Sequence, residues 1–139
     1  MWQSTHSVIT NKVTKEQIWH VWSDITLRQQ WDTDIEWATL EGPFANDSII
    51  RFKVKGGPKV KMCLVDCMPY SSFTDRTKFP GATMDGIHAV EETAEGLKLT
   101  TTFKITGPLS FLWRKLVGEK VAATIPEQTE MLIKVAMTK

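Results

Sequence analysis

The chain has 139 residues, 42% hydrophobic and 24% charged, with 17 Lys and Arg against 16 Asp and Glu for a formal net charge of +1. That composition is too apolar for a disordered polymer, and the length suits a single domain over residues 1–139 with one buried core. The near-zero balance excludes the global field behind non-specific nucleic-acid binding, and no apolar run reaches the ~18 residues needed to cross a bilayer.

The opening Met1-Trp2-Gln3-Ser4-Thr5-His6 lacks a charged segment followed by an apolar one, so no secretory signal is read and a cytoplasmic location is expected. Thr, Val and Ile in the first dozen residues predict a strand that Asn11-Lys12 ends. Thr14-Lys15-Glu16-Gln17 then has the form of a capping box, and Ile18, Trp19, Trp22 and Ile25 recur at helical spacing behind it. Asp24 can cap a second short helix ending near Trp31.

From Ile35 to about Ile105 the pattern is strand after strand. Gly42-Pro43, Asn46-Asp47, Gly56-Gly57-Pro58, Pro69-Tyr70-Ser71-Ser72, Pro80-Gly81 and Glu95-Gly96 divide it into an antiparallel meander of six strands. Alternation puts Phe52, Val54, Val60, Met62, Leu64, Phe73 and Phe79 on the inner face, followed by Met84, His88, Val90, Leu97, Leu99, Phe103 and Ile105. Cys63 and Cys67, four apart on one of these strands, are placed about 13 Å from each other, too far for a disulfide. Free thiols in a reducing compartment are expected, with neither a metal site nor a cofactor.

After Gly107-Pro108 the period is helical again, with Leu109, Leu112, Trp113, Leu116, Val117 and Val121 early and Met131, Leu132, Val135 and Ala136 late. Pro126 lies inside this segment, which predicts a kink near Thr124-Ile125 or two helices in series.

This order of elements predicts an α+β helix-grip fold. A curved, seven-stranded antiparallel sheet wraps a long C-terminal helix, two short helices follow the first strand, and an internal pocket lies between sheet and helix. The segments Ile18-Trp19-His20-Val21-Trp22-Ser23-Asp24, Trp31-Asp32, Ile35-Glu36, Leu40-Glu41-Gly42-Pro43-Phe44, Phe79-Pro80-Gly81-Ala82 and Gly107-Pro108-Leu109 resemble the START-like, or SRPBCC, superfamily, in particular its polyketide cyclase/dehydrase and lipid-transport-like branch. The resemblance covers nearly the whole chain and implies the helix-grip fold. It implies no chemistry, because that superfamily includes carriers, cyclases, hydrolases and co-chaperones.

His88, on the inner face between Met84 and Val90, is the first candidate for chemistry, either as a base or polar contact or as a core histidine bonded to backbone. Asp75 shares that face with Phe73, Thr77 and Phe79. Two readings of it stand: a partner for His88, as a polar anchor or as an acid/base dyad, or a solvated carboxylate at a strand end. His6 has an undecided face and His20 lies toward the wet side of its helix. Of six tryptophans most are read as core, and Trp31 and Trp113 are the two placed at the pocket, with core packing as the alternative for each. Lys53, Lys55, Lys59 and Lys61 flank the Gly56-Gly57-Pro58 turn as a local basic cluster, read as a solvated face that discourages edge-to-edge pairing.

The expected pocket lining is Trp31, Phe52, Met62, Leu64, Phe73, Thr77, Phe79, Met84, His88, Phe103, Trp113 and Leu116. It suits a small hydrophobic ligand of lipid, polyketide or aromatic type, held by a carrier or sensor that is a monomer or homodimer, with no nucleic-acid partner and no membrane insertion. A cyclase/dehydratase using His88 and Asp75 is the second reading, and a protein-interaction module is the third.

Overall fold

The computed structural model describes residues 1–139. Strand β1 (Trp2–Thr10) is followed by helix α1 (Lys15–Ser23), a 3-10 turn (Ile25–Leu27) and the single-turn helix α2 (Arg28–Trp31). Six strands come next: β2 (Ile35–Glu41), β3 (Ile49–Val54), β4 (Lys59–Met68), β5 (Ser72–Phe79), β6 (Ala82–Thr93) and β7 (Gly96–Thr106). The chain ends with α3 (Ser110–Trp113), a π turn (Arg114–Gly118) and α4 (Glu119–Met137). All seven strands form one antiparallel sheet in the order β1-β7-β6-β5-β4-β3-β2. This is the α+β helix-grip arrangement expected above, and none of its helices is long and apolar enough to cross a membrane.

Local chemistry accounts for the first turn of α1. The Thr14 hydroxyl accepts from the Gln17 amide at 3.2 Å, while Gln17 Oε1 accepts from the Thr14 amide at 2.8 Å. Asp24 closes α1 and opens the next turn, its carboxylate accepting from the Thr26 amide at 3.1 Å. Thr14→Ala leaves helix-end donors without partners and is expected to cost about 0.5–2 kcal/mol, read as a lower urea midpoint.

The apolar face of α1, made by Ile18, Trp19, Val21 and Trp22, joins Ile50, Leu64 and Phe73 from the sheet and Leu132 and Ala136 from α4 in one core. The capping-box helix therefore seals one end of the fold, and the space nearer the β3–β4 turn is left for other uses.

Of the two alternatives that Pro126 raised, a division into two helices at that residue is not seen: α4 is continuous through it, with the proline ring on the exposed face. An irregularity lies earlier, at the π turn, where the widened backbone settles onto the sheet. A Cβ on Gly118 would meet Trp2 Cζ3 at 2.6 Å and Ile105 Cδ1 at 2.8 Å, so only glycine allows the helix that close. Leu109, Leu112 and Leu116 are 37%, 39% and 52% exposed, whereas Ile125, Leu132 and Ala136 are buried.

Candidate functional site: an open cleft with a buried His–Asp pair

Between the inner face of the sheet and the C-terminal helices lies a space of about 1360 Å³. Phe52, Met62, Phe79, Met84, Phe103, Trp113 and Leu116 border it with Thr77, and His88 and Asp75 reach it from the β5–β6 pair. Trp113 is fixed as a wall by stacking on Phe79, centroids 4.3 Å apart, and by donating its indole N–H to the Pro80 carbonyl at 2.8 Å.

Three residues expected in this lining lie elsewhere. Leu64 and Phe73 are fully enclosed in the core and do not border the space. Alternation correctly turns them inward, but α1 and Phe44 cover that part of the inner face. Trp31 borders a separate recess of about 10 Å³, shared with His88, Thr101, Gln128 and Thr129. That volume is about one water molecule's worth. The Trp31 indole N–H is buried without a hydrogen-bond partner.

The larger space is a cleft open to solvent, which corrects the expectation of an enclosed pocket. Pairing between β4 and β5 covers Cys63↔Arg76, Leu64↔Asp75 and Val65↔Thr74, with Met68↔Ser72 beyond a bulge, and it does not continue toward Lys59 and Phe79. Residues from both faces of these strands, Met62 and Thr77 as well as Lys61 and Lys78, consequently border the same opening.

At the floor, His88 Nε2 and Asp75 Oδ2 are 3.2 Å apart, with side chains 5% and 6% exposed. Of the two readings left open for Asp75, the structure shows the partnered one. Register explains the meeting: Asp75 pairs with Gly86, and His88 follows two residues on along the same face. Gly86 is required by space, since a Cβ there would lie 2.6 Å from Asp75 Oδ1 and 3.0 Å from Phe103 Cε1. The imidazole stacks on Phe73 at 4.5 Å, while Trp22, Trp31 and Phe103 stand edge-on at 6.0, 6.3 and 6.3 Å. Five aromatic and polar neighbours thus hold one ring.

Sequence reasoning missed several polar groups here. His6 faces inward, paired across the sheet with Thr101, which in turn pairs with His88. Arg28 Nη2 donates to Asp32 Oδ2 at 3.3 Å, and Gln128 Nε2 reaches Asp32 Oδ1 at 3.3 Å, tying α2 to α4 at the edge of the cleft. The Arg28 guanidinium also lies 4.5 Å over the Trp31 ring. The i,i+4 spacing of Arg28 and Asp32 was a readable signal, whereas the link to Gln128 was not.

Outside the cleft floor, Arg76 forms a two-point bond to Asp85 at 2.8 and 3.0 Å, which holds its guanidinium protonated above the usual range. Both cysteines are free, and burial, assisted by Asp66 and Cys63, pushes the Cys67 thiol up. Nowhere do three or more His, Cys, Asp or Glu side chains converge as metal ligands.

No protein-family model matches the sequence, and no curated protein matches it. Solved structures do. A protein from Nitrosomonas europaea superposes with a TM-score of 0.75 at 13% identity, covering 96% of this chain and 92% of that one. A hypothetical protein from Helicobacter pylori gives 0.76 at 9% identity over 97% and 88%. The di-domain ARO/CYC StfQ from the steffimycin biosynthetic pathway gives 0.76 at 12% identity, and there the match covers 96% of this chain but 50% of the larger protein. At these identities the likeness is one of fold.

Proposed function

We propose that this chain is a START-like (SRPBCC) module that holds a small, largely apolar molecule of lipid, polyketide or aromatic type as a carrier or sensor. The observation that carries the reading is the cleft itself: about 1360 Å³ walled by Phe52, Met62, Phe79, Met84, Phe103 and Trp113. Ordinary ligand pockets run to roughly 300–1,000 Å³, so the space takes a ring system or an acyl chain with room to spare. Structural likeness to ARO/CYC proteins of the steffimycin and BE-7585A pathways supports a polyketide-like or aromatic guest.

The neutral dye N-phenyl-1-naphthylamine tests it. Its emission is expected to rise and shift to the blue on addition of the protein, with energy transfer from Trp113. Met84→Trp, which fills the space between β6 and the π turn, is expected to abolish the signal while leaving the thermal transition in place. No dye response in the wild-type chain rejects the proposal.

A second reading, a cyclase or dehydratase, is favoured by the 3.2 Å contact of His88 with Asp75, within reach for proton exchange at the cleft floor. In that case Asp75→Asn and His88→Gln abolish turnover of an aromatic or poly-β-keto substrate and leave dye binding intact. Full turnover in both variants rejects it.

A further inference from the structure

We infer that the guest is an amphipathic anion, its apolar body against Met84 and Phe103 and its charged head among Lys55, Lys59, Lys61, Lys78 and Lys120. This rests on the cleft being the ligand site and adds the ligand's charge and orientation.

Charge is segregated toward the cleft. Seven Lys and Arg side chains border it against three acids, Asp32, Asp34 and Asp75, although the whole chain carries 17 basic and 16 acidic residues. The inner polar groups are already paired: His88 with Asp75 at 3.2 Å, and Arg28 with Asp32 at 3.3 Å. Arg76, farther out, is held by Asp85 at 2.8 Å. A ligand's polar end therefore finds no free charge at the floor.

The five lysines differ: none makes an ion pair or a side-chain hydrogen bond with the protein, and Asp34 is the one bordering acid without a cation partner. Lys59 and Lys61 stand on one lip of the opening left where the β4–β5 ladder stops. Lys78 stands on the other lip, Lys120 comes from α4, and Lys55 from the β3–β4 turn. Protection of the unpaired β4 and β5 segments does not account for Lys55, on the β3–β4 turn, or for Lys120, on α4. Like charges gathered on a low-dielectric cleft attract an anion that supplies what the fold leaves out. Each exposed pair contributes little, so the effect is a sum over several.

The test compares two dyes with the same body. 1-Anilinonaphthalene-8-sulfonate carries a sulfonate that N-phenyl-1-naphthylamine lacks. The anionic dye is expected to bind about tenfold more tightly at low ionic strength, with the advantage shrinking as salt shortens the screening length to under ~10 Å. Lys59→Gln, Lys61→Gln and Lys78→Gln together are expected to remove the preference and keep neutral-dye binding. The same charge change made elsewhere, by Lys12→Gln, Lys98→Gln and Lys134→Gln, is expected to preserve it. Equal affinity for both dyes, or a preference surviving the first triple variant, overturns the anionic head and leaves the apolar cleft standing. Binding of neither dye overturns the cleft reading and this inference together. Anionic-dye binding that persists in Met84→Trp places the dye elsewhere on the surface and also overturns it.

Discussion

Changing His88 to alanine lowers the stability of the fold by about 3–5 kcal/mol, seen as a lower urea midpoint at an unchanged slope. Two losses combine. The ring fills space between Phe73, Trp22, Trp31 and Phe103, and its removal leaves a cavity that rigid aromatic neighbours close only in part. Its removal also strands Asp75, 4% exposed, without the partner that justified burying it. Breaking one half of a buried pair therefore costs more than removing both. A double-mutant cycle of His88→Ala with Asp75→Ala is expected to show a coupling of about 0.5–3 kcal/mol, the double variant costing less than the sum of the singles. Strict additivity would mean that the 3.2 Å contact contributes nothing.

Phe73→Ala is expected to match that loss, at about 3–5 kcal/mol, by packing alone. The ring is fully buried, meets Trp22 at 5.2 Å and Phe44 at 5.1 Å edge-on, and carries the His88 imidazole on its face. Against a total stability of about 5–15 kcal/mol for a domain of ordinary size, either change removes a large share. Phe73→Leu keeps most of the volume and is expected to cost about 1–1.5 kcal/mol. Because Phe73 does not border the cleft, its variants, studied below their melting transitions, are expected to keep neutral-dye affinity where Met84→Trp loses it. A Phe73→Leu variant that melts normally but no longer takes up dye would place Phe73 in the binding wall.

The comparison of Phe73 with Met84 shows how far alternation reaches. Both residues face inward at alternate strand positions, and the pattern is blind to what lies above them: α1 and Phe44 cover Phe73, while the space over Met84 is open. The lysines show the same limit. Period-2 spacing puts Lys59, Lys61 and Lys78 on the outer face, but the end of the β4–β5 ladder places them around the mouth of the cleft.

Local rules in the amino-acid order were enough for the elements and their sequence along the chain. The capping box at Thr14, the Gly and Pro breaks between strands, and the alternation from Phe52 to Ile105 act within a few residues and need no distant partner. Tertiary structure alone decided the rest. It pairs β1 with β7, which brings His6 level with Thr101 and His88, and it sets the β5–β6 register that puts Asp75 opposite Gly86 and within reach of His88. It also puts a π turn at Arg114–Gly118, where the close approach of Gly118 to Trp2 and Ile105 leaves no room for a Cβ, a contact that no local signal in the sequence announces. Short-range preferences are written in neighbouring residues. Which strands meet, where a ladder stops and which inward faces stay uncovered depend on contacts between residues far apart in the chain.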